Sequence, residues 1–255
     1  LSSSAAGRAD YDSYWRLLRD SAKYHPGNRY RYALIAKHFK DLVKPGDRVL
    51  DIGCGEGSLL ARLYRESPTS TYFGVDVSTD AIALDRLTLP QLNFLVGDAT
   101  DSRFGTEIVE QAGGAFDFVI LCEVIEHVID DRTLLRNVAA LLKPGGILIL
   151  TTQSGPRFRV EKELLKHIRH YDRNEIQASL HAADMTTIQA FNCGFAVLTA
   201  QKIVTSVFFR SVVKFAASGS KPPPLIRGAM TLLFLLLRAI PIKRGPQLFV
   251  LATRR

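Results

Sequence analysis

Acidic residues run out at Asp184. Residues 185–255 contain ten Lys or Arg and no Asp or Glu, so that segment carries +10, while residues 1–184 sum to about −2. Such asymmetry points the C-terminal segment at an acidic partner surface, or leaves it a solvated basic face. Cysteine is scarce. Cys54, Cys122 and Cys193 are odd in number, far apart and without metal-type spacing. This argues against a disulfide framework and for reduced thiols in a cytoplasmic chain. The opening Leu-Ser-Ser-Ser-Ala-Ala-Gly has no apolar leader core, so no secretory signal is expected. Long apolar runs are missing as well. The charge-free run inside residues 225–240 is ten residues, too short to span a bilayer. At 255 residues without an internal repeat, the chain fits one large α/β domain spanning 1–255.

What is present is concentrated in residues 48–57, Arg-Val-Leu-Asp-Ile-Gly-Cys-Gly-Glu-Gly. Val49 to Ile52 reads as a buried strand, Gly53, Gly55 and Gly57 as a tight turn, and Ser58 onward as a helix. Strand, glycine turn and helix together bring backbone N–H groups against a nucleotide-like ligand. Asp51 falls near the end of this strand and Asp76 at the end of the next, where an acid can accept from ribose hydroxyls. The pattern G-x-G-x-G, with an acid two residues ahead, differs from the dinucleotide fingerprint G-x-G-x-x-G.

Strands are expected at 48–52, 71–76, 93–96, 116–121 and 147–152, with helices near 58–66, 79–87, 105–112 and 131–142. That alternation predicts a doubly wound, mostly parallel sheet. Phe118–Leu121 and Ile147–Leu150 are apolar throughout, as central parallel strands must be. Two helices, Tyr11 to Tyr24 and Arg29 to Leu42, are expected first, with Trp15, Leu18, Ile35 and Phe39 facing inward. Together, spanning residues 11–42, they would form an N-terminal helical cover for the ligand site. Asp172-Arg173-Asn174-Glu175 reads as a capping box. Residues 186–192 and 248–253 read as the last two strands, seven in all, with a helical insert before the final one.

These blocks resemble the class I S-adenosylmethionine-dependent methyltransferases. The resemblance covers roughly residues 30–200 and the final strand. It rests on Val49 to Gly57, Gly74-Val75-Asp76, Val96-Gly97-Asp98-Ala99, Phe116 through His127-Val128, and Leu141 through Gly146, in family order. It implies S-adenosylmethionine as cofactor. Gly53, Cys54, Gly55 and Gly57 would approach its tail and sugar, and Asp51 would hold its amino group. Asp76, with Val77 beside it, would take the ribose diol, and Asp98, with Ala99, the adenine amine. Cys122 and Glu123 would lie near the reactive methyl.

Glu123-Val124-Ile125-Glu126-His127 is a more specific signal. As the first turn of a helix, E-x-x-E-H would place Glu123, Glu126 and His127 on one side. Two carboxylates and an imidazole there suit a divalent cation such as Mg or Zn, which would activate a bound hydroxyl. A similar block occurs in ubiquinone-biosynthesis O-methyltransferases and in small-RNA 2′-O-methyltransferases, where it serves a metal site. The resemblance implies a further ligand or base at His167, ahead of His170. Two other readings stand beside this one: His127 or His167 as a metal-free general base, with Glu123 near the methyl, or purely structural hydrogen bonds.

The insert at 203–243 is apolar and basic. Twelve of the sixteen residues 225–240 are apolar, bracketed by Arg227 and Arg238. Residues 203–215 form a second such stretch, and Ser218 to Pro224, with three consecutive prolines, a loop between them. Helices of this kind suit an anionic membrane surface, a lid over a greasy acceptor, or packing and dimerisation. Nucleic acid is disfavoured, since aromatics for stacking are few. The expectation is methyl transfer to a hydroxyl on a small or lipid-linked acceptor in the cytoplasm. An RNA 2′-O-methyltransferase and a catalytically silent cofactor-binding subunit are the alternatives.

Overall fold

The computed structural model describes residues 24–218, 222–239 and 243–255. The expected helix from Tyr11, with Trp15 and Leu18, falls outside them except for Tyr24. So do residues 219–221 of the Pro-rich connection and residues 240–242 near the end of the insert.

The described chain opens with helix α1 (Pro26–Lys40). It starts three residues ahead of the expected Arg29, because His25 caps it by accepting from the Asn28 N–H and Pro26 occupies its first turn. Strands β1 (Arg48–Ile52), β2 (Thr71–Asp76), β3 (Asn93–Val96), β4 (Phe116–Cys122) and β5 (Leu142–Gln153) follow. Between them run α2 (Ser58–Glu66), α3 (Thr79–Thr88), α4 (Phe104–Ala112) and α5 (Asp131–Leu141). Helix α6 (Arg173–Ala182) opens on the expected capping box, with Asp172 and Glu175 satisfying each other's backbone N–H. Strand β6 (Met185–Cys193) comes next, then α7 (Val197–Val207), α8 (Phe209–Ala217) and α9 (Pro224–Ala239), and finally β7 (Gln247–Arg254).

The seven strands are ordered β3-β2-β1-β4-β5-β7-β6. Strands β1 to β5 pair in parallel, and β7 enters antiparallel between β5 and β6. Each strand buries alternate residues in one of two cores, as period-2 geometry requires. Leu50, Ile52, Val119, Leu121, Leu148 and Leu150 pack with α4, α5 and α6. Val49, Phe118, Ile120 and Ile149 pack with Ile35 and Phe39 of α1 and Leu59, Leu60 and Leu63 of α2. Ile35 and Phe39 are inward, as the helical spacing predicts.

Strand order reverses between β1 and β4, and in open α/β sheets ligands bind beyond the carboxyl ends of the strands at such a point. Helices α7 to α9 all lie in the β6–β7 connection, so the helical segment begins at Val197. Its apolar-basic first stretch is broken after Val207 into two helices. The connection closes on itself where it leaves the sheet: the Phe195 N–H donates to the Arg244 carbonyl at 2.9 Å. A Cβ on Gly245 would collide there with the backbone of Cys193 and Phe195. Among the described residues no helix is long and apolar enough to cross a membrane.

Candidate functional site

The glycine turn after β1 is held from below by β2. The N–H groups of Gly53 and Cys54 both donate to the Val75 carbonyl, at 2.8 and 3.1 Å. Gly53 has φ 71°, and a Cβ there would come within 2.5 Å of Val124 Cγ2, so both backbone shape and space demand glycine. Asp76 is clamped by two backbone donors, Gly55 N to Oδ2 and Ser78 N to Oδ1, each at 2.9 Å. Asp51 differs. It is buried, and among the described residues its Oδ1 has no hydrogen-bond partner. Burial first, then Asp76 and Asp85, push its pKa well above the usual carboxylate range. A buried orphan carboxylate is costly unless a ligand satisfies it, and the ammonium of an amino-acid tail would do so. Asp85, which no motif marks, joins this acidic group. Burial, Glu56 and Asp76 raise its pKa to about 7.

A cavity of about 1150 Å³ runs from this turn to the helices of the β6–β7 connection. Asp51, Gly53, Cys54, Asp76, Val77, Asp98, Ala99 and Cys122 all line it. Gly55 and Gly57 are not on its wall. They shape the turn instead, and Gly57, at φ 63°, precedes the first residue of α2. Asp98 Oδ1 accepts from the N–H and hydroxyl of Thr100 at 2.9 and 2.6 Å, so the acid also caps its own turn. Cys122 is no nucleophile: burial pushes its thiol up to about 12.

The E-x-x-E-H block is not the first turn of an α-helix. Glu123 takes a left-handed φ of 58°, and a short 3₁₀ turn, Ile125–His127, follows. The kink separates the two glutamates. Glu123 turns to Arg31, 3.5 Å away, and accepts from Gln247 at 2.8 Å and from Gln153. Burial works against its charge, but Arg31 and these two amides hold its carboxyl below the usual range. Glu126 is fully buried, its Oε2 accepting from Thr152 Oγ1 at 2.8 Å. Its Oε1 has no partner among the described residues. Burial and the neighbouring Glu123 raise its pKa well above the carboxylate range.

Glu126, His127 and His167 offer ligand atoms all within 4.8 Å of one another. Burial keeps both imidazoles neutral, lowering His127 to about 4 and His167 to about 2. Hydrogen bonds orient them. The Lys166 backbone beside His127 favours its protonated form, against the effect of burial. His170 Nδ1 lies 2.9 Å from the Gly155 carbonyl and donates to it. Its Nε2 then accepts from His167 Nδ1 at 3.1 Å, which leaves the lone pair of His167 on Nε2. Lys166, beside His167, is left-handed like Glu123, with φ 57°. Strain on both segments that deliver the cluster is typical of a functional site. Two neutral imidazoles and a carboxylate with an unpartnered oxygen fit a divalent cation. Of the four expected metal residues, three converge and Glu123 does not.

A second group, Glu161, His167 and His170, is also close-packed, but Lys202 Nζ sits 2.6 Å from Glu161 Oε1 and supplies the positive charge there. Lys202 also donates to Gln153 Oε1 at 2.7 Å. Arg31, Gln153, Glu161, Lys202 and Gln247 thus form a buried polar framework that the sequence did not announce. Gln153 alone carried a signal, by ending β5 just as Cys122 ends β4.

Comparison with known proteins identifies the family of this fold. A family model described as "Methyltransferase domain" matches residues 27–197. The ubiquinone biosynthesis O-methyltransferase of Cronobacter sakazakii is 32% identical over 143 residues, covering 54% of this chain and 55% of that protein. The chain therefore spans about half the length of the curated relatives it matches. Among solved structures, a chain from the complex of the Haloferax volcanii Trm112 methyltransferase activator with the putative methyltransferase superposes with TM-score 0.61 at 18% identity, over 95% of this chain and 96% of that one. Phosphoethanolamine N-methyltransferase 2 of Haemonchus contortus, solved with S-adenosyl-L-methionine, gives TM-score 0.57 at 18% identity, over 94% and 60%. Both share the fold. The chain belongs to the methyltransferase-domain family, and with it to the class I S-adenosylmethionine-dependent methyltransferases.

Proposed function

We propose that the protein methylates a hydroxyl group on a lipid-like acceptor. The observation that carries this reading is the clustering of buried Glu126 with His127 and His167, the two histidines lining the same cavity as Asp51 and Asp76. The cofactor supplies an electrophilic methyl on a sulfonium, and the chain's own groups do the positioning. Asp51 takes the amino group, Asp76 the ribose and Asp98 the adenine amine. Glu126, His127 and His167 would hold a divalent cation, whose chemistry is to lower the pKa of a coordinated hydroxyl. The lowered pKa values of His127 and His167 leave both imidazoles unprotonated at neutral pH, with lone pairs free for such a cation, and make them weak bases toward an acceptor's proton. The Arg31–Glu123–Gln247 framework keeps this end of the site rigid.

The lipid-like character of the acceptor is supported by the lid. Val212, Phe215, Ile226, Met230 and Phe234 of α8 and α9 line the cavity, while Val204, Val207, Phe208, Leu225, Leu232 and Leu235 face outward and are exposed. With Arg210 and Lys214 interleaved, this outer face suits the surface of an anionic membrane. Unpaired Cys54, Cys122 and Cys193 support a cytoplasmic location. The test is incubation with methyl-labelled cofactor and a cell extract, fractionated into lipid, small-molecule and RNA pools, with and without chelator. Label in the lipid pool that chelator abolishes is expected. Label confined to RNA would replace the acceptor, and no label in any pool would indicate a silent cofactor-binding subunit.

A further inference from the structure

The cavity has a second charged region, away from the reacting groups. Arg29 of α1, Arg62 and Arg65 of α2 and Arg238 of α9 all line it. Arg29 is fixed in place: its Nη1 donates to Thr231 Oγ1 at 3.0 Å, and its guanidinium lies 4.3 Å over the ring of Phe234. Arg238 approaches the same ring at 5.8 Å. Among the described residues, Arg62, Arg65 and Arg238 have no carboxylate within ion-pair distance. Glu66, whose carboxylate acts on Arg62, lies 3.9 Å from Lys40. Burial depresses the pKa of Arg62, Glu66 raises it, and the like charges of Arg238 and Arg65 depress it again. Like charges gathered on a cavity wall call for an anion between them.

We propose that Arg29, Arg62, Arg65 and Arg238 form an anchoring subsite for a phosphate group carried by the acceptor. Planar guanidinium groups with several donors each match phosphate oxygens, and Arg is the residue suited to this. The surroundings suit a phosphate attached to an apolar chain. On α9 the residues facing the cavity are Ile226, Met230, Phe234 and Arg238. That spacing of four makes one stripe, apolar and then cationic at its end. On α2 the facing residues are Ser58, Leu59, Arg62 and Arg65, so the cations stand about 6 and about 10 Å along the helix from its first residue. The phosphate would lie well beyond the glycine turn, with the acceptor reaching back from it toward His127 and His167.

The inference rests on the methyltransferase reading for its orientation, but its test is a binding measurement that separates the two. Titrations compare monomeric decyl phosphate, decanol and inorganic pyrophosphate on the wild-type protein and on Arg65→Gln, Arg238→Gln and the double variant. Both positions are exposed, and each change replaces the guanidinium with a shorter neutral amide, so retained folding is expected and is checked by thermal melting. S-adenosylmethionine affinity is measured in parallel. Decyl phosphate is expected to bind at least tenfold tighter than decanol. The double variant should erase that advantage while changing S-adenosylmethionine affinity less than twofold. Pyrophosphate binding as tightly as decyl phosphate would assign the anion to a soluble acceptor; much weaker binding would assign it to a lipid. Decyl phosphate binding no tighter than decanol would overturn the subsite, as would an unchanged double variant or competition with S-adenosylmethionine. Failure of the wild-type protein to bind S-adenosylmethionine would instead overturn the methyltransferase reading.

Discussion

Glu123 and Glu126 stand three residues apart, yet they accept from consecutive residues of one strand, Gln153 and Thr152 of β5. Consecutive strand residues point to opposite faces of a sheet. The left-handed kink at Glu123 thus sends one carboxylate into the Arg31 framework and the other into the histidine cluster. The two glutamates should fail differently when replaced.

Glu123→Gln leaves the buried Arg31 without its counter-ion, and breaking one side of a buried pair costs about 3 kcal/mol. A drop of that order in urea-unfolding free energy is expected, with activity falling in proportion to folded protein. Glu126→Gln should leave stability nearly unchanged, because burial already favours the neutral acid. It should instead remove any stimulation of turnover by Mg²⁺ or Zn²⁺. Equal stability losses in the two variants would contradict this division.

Stability should respond to acid through His127. Its folded pKa, about 4, lies below the ordinary 6.5, so between those values the unfolded state binds more protons and stability falls as pH falls. The full span corresponds to about 3 kcal/mol. The raised carboxyl of Glu126 slopes the opposite way, so the histidine contribution is read as a difference. Comparing wild type with His127→Gln by urea unfolding at pH 7 and pH 4.5, the wild type should lose more stability. Identical pH profiles would rule the contribution out.

Gly53→Ala should weaken both folding and cofactor binding, since the added methyl meets Val124 Cγ2 in a left-handed backbone. A cost of about 1–3 kcal/mol is expected. Val124→Ala in the same chain should recover the steric part but not the backbone part, so partial rescue of the melting temperature is the expected result. Asp51→Asn should lower S-adenosylmethionine affinity at least tenfold while leaving the fold unchanged, read by calorimetry.

Leu232→Glu with Leu235→Glu changes only exposed positions of α9. Flotation with phosphatidylglycerol vesicles should fall at least fivefold relative to wild type, with no binding of either protein to phosphatidylcholine. Unchanged flotation would mean that these helices do not form the membrane-facing surface.

Much of the sheet was legible in the sequence because its signals are local. Runs such as Phe118–Leu121 are apolar on both faces, and glycine or proline punctuates their ends, so strand positions followed from neighbours along the chain. The glycine turn and its acids were legible for the same reason: Asp51 and Asp76 sit at fixed places relative to their own strands. The reacting end was less so. The helical periodicity assumed for E-x-x-E-H gave way to a kink at Glu123, held by Arg31 and Gln247, which lie 92 residues before and 124 residues after it. Lys202 and Glu161 came from segments whose spacing announces nothing, and only tertiary packing joins them.

The β6–β7 connection departs from the sheet at Gly194 and comes back at Gly245, and the two points touch through the Phe195–Arg244 backbone bond. Beside that contact the two strands pair directly, Cys193 opposite Gln247. The helices over the cavity thus leave and rejoin the sheet at one closed neck. A different segment grafted between those points would change the apolar wall over the cavity while leaving the glycine turn, Asp51 and Asp76 in the sequence as they are.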